Sequence, residues 1–191
     1  ATPCSDYSHC LNRMQGAWRR TQDSATKDHQ LPGDLHSRLA QSFARFGTRT
    51  LVEAEGKAWT YGEVEALSAR LATRLAALGV APGERVLVQT EKSVETLLLY
   101  FAVVRLGAIY LPLNVDYTEA ELDYFASDAT PVLAVCRDGD EQLFARIGQG
   151  AATVTTLGTL FADLPAEMAP PAPRQPDDIA AILYTSGTTG K

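Results

Sequence analysis

Residues Ile179-Ala180-Ala181-Ile182-Leu183-Tyr184-Thr185-Ser186-Gly187-Thr188-Thr189-Gly190-Lys191 change character in the middle. The first six, 179–184, are apolar or aromatic and too few for a helix, so they are expected to form a buried strand. The strand then breaks into four hydroxyl residues and two glycines, where backbone amides and side-chain oxygens can converge on an anion such as a polyphosphate. A Gly/Ser/Thr turn with no ligand is the structural alternative for such a composition. A Walker loop is excluded, because it needs glycine five places before a Gly-Lys pair and Thr185 stands there. The dinucleotide-binding glycine pattern is absent as well.

Upstream, residues 169–176 hold four prolines in eight, which reads as a stiff, solvated linker delivering the chain to that strand. Before it, residues 140–148 and 157–164 read as short helices and 153–156 as a strand. Residues 85–90, 108–113 and 131–136 are apolar strands. Between the first two lies a helix over 94–106, capped by Ser93 and apolar nearly all round. Its thirteen residues fall short of the roughly 20 that cross a bilayer, so it is a core helix. Thr118 and Glu121 form a capping box for a helix through Phe125, and Thr60 and Glu63 form another. Behind Thr60 come Val64, Leu67, Leu71, Leu75 and Leu78 at helical spacing, closed by Gly79. Residues 50–54 and 57–61 flank Glu55-Gly56 as a hairpin. Asp34 caps a helix with Leu35, Leu39, Phe43 and Phe46 on one face, ending at Gly47. Strands alternating with helices indicate βαβ units, a parallel sheet and an α/β fold.

The chain has 191 residues, 46% of them hydrophobic, enough for one sizeable core. A net charge of −6 with no concentrated basic face excludes nucleic acid and anionic membrane as partners and favours small-molecule substrates. Cys4, Cys10 and Cys136 match no zinc spacing and read as reduced thiols. His9 beside Cys10 has no second ligand pair near it, so no metal site is read there. Residues 1–30 are polar and are expected to be a disordered extension or a targeting segment; Asp6, Asp23 and Asp28 weigh against the latter.

Tyr184 to Gly190 closely resemble the phosphate-binding signature of the acyl-adenylate-forming superfamily, with Lys191 on its variable position. Two earlier stretches resemble the superfamily's first motifs, in order: Trp59-Thr60-Tyr61-Gly62-Glu63-Val64 and Leu106-Gly107-Ala108-Ile109-Tyr110-Leu111-Pro112-Leu113-Asn114. Pro112 and Asn114 are expected to shape a strand exit and touch no ligand. Within the superfamily, Glu91-Lys92-Ser93, residues 111–114 and residues 117–125 look most like the malonyl-CoA ligases.

The resemblance implies that residues 31–191 are the N-terminal part of the large AMP-binding domain, stopping inside the phosphate-loop motif. It implies ATP, Mg²⁺ and CoA, and two steps: a carboxylate attacks ATP to give acyl-AMP and pyrophosphate, then the CoA thiol displaces AMP. The candidate phosphate-binding residues are Thr185, Ser186, Gly187, Thr188, Thr189, Gly190 and Lys191. The lid lysine, the acidic residue near Mg²⁺ and most of the acyl pocket are expected after Lys191, so this chain alone is expected to catalyse neither step. Alternatives are another carboxylate-activating enzyme, such as a medium-chain acyl-CoA ligase or an amino-acid adenylation domain, and a short nucleotide-binding product without chemistry. The expected compartment is the cytoplasm, with the mitochondrial matrix as alternative.

Overall fold

The structure, a computed structural model, describes residues 33–150 and 152–184. Residues 1–32 and 185–191, with the candidate phosphate-binding residues, Cys4, His9 and Cys10 among them, lie outside this range. Helix α1 (Leu35–Phe46) starts where the Asp34 carboxylate accepts the Ser37 amide at 3.1 Å. Of its expected apolar face, Phe43 is buried and Leu39 packs against the core, whereas Leu35 is 37% exposed and His36 is buried beside them. Strands β1 (Thr50–Ala54) and β2 (Lys57–Thr60) pair antiparallel across Glu55 and Gly56, both at positive φ, the geometry of a two-residue hairpin turn. Helix α2 (Tyr61–Ala77) follows with its capping box formed by Thr60 and Glu63.

Four short strands then make one parallel sheet: β3 (Arg85–Val88), β4 (Ile109–Pro112), β5 (Leu133–Cys136) and β6 (Thr153–Thr156), in the order β4-β3-β5-β6. Helix α3 (Val94–Arg105) connects β3 to β4, and α4 (Glu119–Ala129) carries the chain from β4 back past β3 to β5. Helix α5 (Glu141–Phe144), a 3₁₀ turn (Ile147–Gly150) and α6 (Leu157–Phe161) complete the fold.

Because strand side chains alternate in direction, the sheet divides its residues between two cores. Val86, Val88, Leu133 and Val135 join Leu71, Leu75, Leu98, Leu99 and Phe101 of α2 and α3. Leu87, Leu111, Ala134 and Cys136 instead join Leu122, Ala126, Phe144 and Ile147 on the other face. The result is a parallel sheet covered on both sides, which explains why its strands read as continuous apolar runs. Phe43 ties α1 into the first core through an edge-on contact with Phe101, ring centroids 5.4 Å apart.

The expected solvated linker is corrected. Arg70 donates from Nε to the Pro165 carbonyl at 2.6 Å and from Nη2 to that of Leu164 at 2.7 Å. Arg74 holds the Ala162 and Asp163 carbonyls, and Arg105 donates to Ala169 at 2.6 Å. The Ala172 amide donates to the Arg105 carbonyl at 2.9 Å. These carbonyls lie outside any helix or strand, and guanidinium groups on α2 and α3 supply their partners. Residues 164–175 therefore form a strap laid on the helices, exposed on its outer side.

Candidate functional site

The chain reaches the candidate phosphate loop through residues 179–184, and these are not the buried strand expected. They form a single parallel bridge, Ala181 to Tyr110, at the outer edge of β4. The Tyr110 amide donates to the Ala180 carbonyl and the Ile182 amide to the Tyr110 carbonyl, both at 3.0 Å. Ile182 and Tyr184 pack against the second core, while Ile179 and Leu183 are 57% and 70% exposed. A strand at an edge buries one face and presents the other, and among the described residues nothing pairs its far side.

Tyr184, the last described residue, is held at several points. Its ring lies 4.3 Å from that of Phe125, and its hydroxyl donates to Asp128 Oδ2 at 2.5 Å. Burial, and then the hydrogen bond to the Asp128 carboxylate, push its phenol up to about 12, so it is a proton donor at any physiological pH. Tyr117, 5.0 Å from Phe125 ring to ring, adds a long 3.4 Å contact from its hydroxyl to the Tyr184 carbonyl. Helix α4, which carries Phe125 and Asp128, is itself fixed at both ends. Thr118 and Glu121 close its capping box, and Thr118 holds the Glu121 carboxyl below its ordinary value. At the other end Thr130 takes a left-handed conformation, and Arg85 donates to the Ala129 carbonyl at 2.8 Å and to Thr130 at 2.9 Å. A cation here also meets the negative end of the helix dipole.

The loop root thus stands at the carboxyl end of a parallel sheet, the end at which such sheets bind ligands. A concavity at that end, of about 300 Å³, opens beside Thr90, Ser93, Arg137 and Asp138, where the connections leaving β3 and β5 diverge. Its cation is committed: Arg137 lies 2.8 Å from Asp140 and 4.0 Å from Glu91. At the exit of β4, the Asn114 carbonyl accepts from Gln89 Nε2 at 2.7 Å and its side chain accepts the Asp116 amide at 3.2 Å. Asn114 therefore shapes the turn, as expected, with a buried partner in Gln89 that the sequence did not suggest. Asp128 and Arg85 gave no sequence signal either, since their partners are 56 and 44 residues away. Among the described residues, no three His, Cys, Asp or Glu side chains gather as a metal site. No described helix is long and apolar enough to cross a membrane.

The family model described as AMP-binding enzyme matches residues 39–191. The chain is 41% identical to MatB from Rhodopseudomonas palustris in both its apo and ATP-bound crystal structures. Each superposes with a TM-score of 0.76 over 84% of this chain and 34% of that one. It is 33% identical over 168 residues to an L-proline–[L-prolyl-carrier protein] ligase of Pseudomonas fluorescens, covering 82% of this chain and 33% of that protein. The chain spans about a third of the length of these relatives.

Proposed function

The chain belongs to the AMP-binding enzyme family, and from that premise we propose that it is the N-terminal part of an ATP-dependent acid–thiol ligase that activates malonate for transfer to CoA. The observation that carries the reading is the family match extending through Tyr184-Thr185-Ser186-Gly187-Thr188-Thr189-Gly190. The malonate assignment is supported by the resemblance of residues 91–125 to malonyl-CoA ligases. The 41% identity to MatB, against 33% to the carrier-protein ligase, favours the same branch.

The first step moves negative charge onto the departing pyrophosphate. Hydroxyls of Thr185, Ser186, Thr188 and Thr189 and amides at Gly187 and Gly190 would donate to that charge, with Lys191 adding a cation. The loop's role is positioning and electrostatics, with no covalent part. Mg²⁺, when bound to the nucleotide, supplies further charge neutralisation. The CoA thiol then attacks the acyl carbon of acyl-AMP, breaking the bond to the phosphate oxygen and releasing AMP.

A second reading, transfer of an amino acid to a carrier protein, is favoured by the likeness to the prolyl-carrier ligase. ATP–pyrophosphate exchange by the full-length natural protein, run with malonate, acetate, octanoate and the amino acids, separates them. Malonate-dependent exchange followed by malonyl-CoA formation is expected. Exchange with an amino acid alone moves the assignment to the second reading, and no exchange with any acid overturns the adenylation proposal.

A further inference from the structure

We propose that helix α4 is the positioning platform of the phosphate loop: Asp128 and Phe125 hold Tyr184, and through it they set the direction in which the chain leaves the sheet. This rests on residues 185–190 being the phosphate loop, as proposed above.

Edge strands with one bridge are weakly constrained. Residues 179–184 are tied to β4 only through the two backbone bonds to Tyr110, and Leu183, next to the loop, is 70% exposed. Two hydrogen bonds to one residue and the packing of Ile182 hold the middle of the strand and leave its end at residue 184 free to turn. The Tyr184 anchor removes that freedom. Phe125 and Asp128 are three apart on a helix and so present one face; one stacks on the ring at 4.3 Å while the other takes the hydroxyl at 2.5 Å. The platform does not depend on the strand it holds, because the Thr118–Glu121 box and Arg85 fix α4 by themselves.

The bond between Tyr184 and Asp128 is solvent-exposed, so water replaces most of what it contributes to stability. Its consequence lies instead in geometry, since a misplacement of about 1 Å at reacting groups costs on the order of 100-fold in rate. Tyr117, Phe125, Asp128 and Tyr184 are positioning residues, none of them catalytic.

The test uses the full-length natural protein and the variants Tyr184→Phe, Asp128→Ala and Asp128→Asn. Tyr184→Phe and Asp128→Ala are each expected to lower kcat/KM for ATP in pyrophosphate exchange by roughly 10-fold, the loss of one hydrogen bond's worth of alignment. KM for the acid, the unfolding midpoint and thioester formation from supplied acyl-AMP should stay at wild-type values. Asp128→Asn, which keeps an acceptor oxygen, should recover most of the rate. The double variant Tyr184→Phe/Asp128→Ala should be no worse than either single one, because both remove the same bond. Wild-type exchange in both single variants overturns the proposal, as does a parallel fall of both half-reactions with the unfolding midpoint. Amide hydrogen exchange of residues 185–190 decides the matter separately from activity. It should quicken several-fold in Tyr184→Phe and Asp128→Ala but not in Asp128→Asn, and equal protection in all three overturns the anchor. A wild-type protein that exchanges pyrophosphate with no acid defeats the adenylation reading, while this second measurement still judges the platform.

Discussion

Arg105 at the end of α3 donates from Nε to the carbonyl of Ala169, 64 residues away, at 2.6 Å. Its side chain is 13% exposed, with Glu65 at 4.0 Å as its ion-pair partner. This bond joins the strap of residues 164–175 to the helical layer just before the chain turns toward the sheet edge.

Replacing Arg105 with Leu keeps much of the packing and removes the donor. Hydrogen bonds to charged groups contribute about 1.5 to 3 kcal/mol, so a loss of that order is expected in urea unfolding. Unchanged unfolding would show that the strap rests on the helices without holding them.

Gly107 sits at φ +65°, and a Cβ there would come within 2.6 Å of Arg174 Cδ. Arg174 is pinned by Asp178 at 3.0 Å, so it cannot move aside freely. Gly107→Ala should therefore cost about 1 to 2 kcal/mol from left-handed backbone strain, plus the displacement of Arg174. In an Arg174→Ala background the penalty should shrink toward the strain alone; an equal penalty in both backgrounds would discard the steric part.

His36 is 7% exposed on α1. Burial first, then the nearby Arg105 charge, hold its pKa below the ordinary 6.5, with Asp34 opposing them. A histidine whose folded pKa is depressed resists protonation in the native state, whereas the unfolded chain takes up the proton. Stability is therefore full above about pH 6.5 and falls as the pH drops through the window down to the lowered folded value. The unfolding midpoint of the wild type should decline between pH 7.5 and 5.5 more than that of His36→Gln. Parallel declines would mean that His36 does not titrate against the fold.

Cys136 is 1% exposed at the end of β5. Burial, then the charges of Glu141 and Asp140, push its thiol up to about 11, so almost no thiolate exists at pH 8. Iodoacetamide should leave the Cys136 peptide unlabelled in the native protein and label it in denaturant, as read by mass spectrometry. Rapid native labelling would contradict this burial.

The parts legible in the sequence are those decided by neighbours. Both capping boxes, the Glu55-Gly56 hairpin, Asp34 and Ser93 as caps and the alternation of strands with helices depend on residues within four places of one another. What was misread depends on distant partners. Helix α4 runs to Ala129, past the expected Phe125, because Arg85 closes its carbonyl end. The apolar run 179–184 carries the signature of a buried strand, yet its neighbours in space include the single edge of β4 and leave Ile179 and Leu183 outward. For α1, the spacing placed Leu39 and Phe43 correctly but took Leu35 as buried and missed His36, since a buried His36 carries no apolar signal. Residue types alone propose the loop chemistry, on residues outside the described range, whereas Asp128 and Phe125 carried no signal, because nothing local marks which face of α4 meets Tyr184.

The central claim is that the hydroxyls following Tyr184 stabilise charge on pyrophosphate, and ATP–pyrophosphate exchange by Thr188→Val in the full-length natural protein tests it most directly. Valine keeps the shape of threonine and deletes one donor to a charged group, about 1.5 to 3 kcal/mol at the transition state, so exchange should slow by roughly 10- to 150-fold. Thioester formation from supplied acyl-AMP and CoA, in which pyrophosphate takes no part, should proceed at the wild-type rate. Wild-type exchange by Thr188→Val, or an equal loss in both half-reactions, would contradict the account.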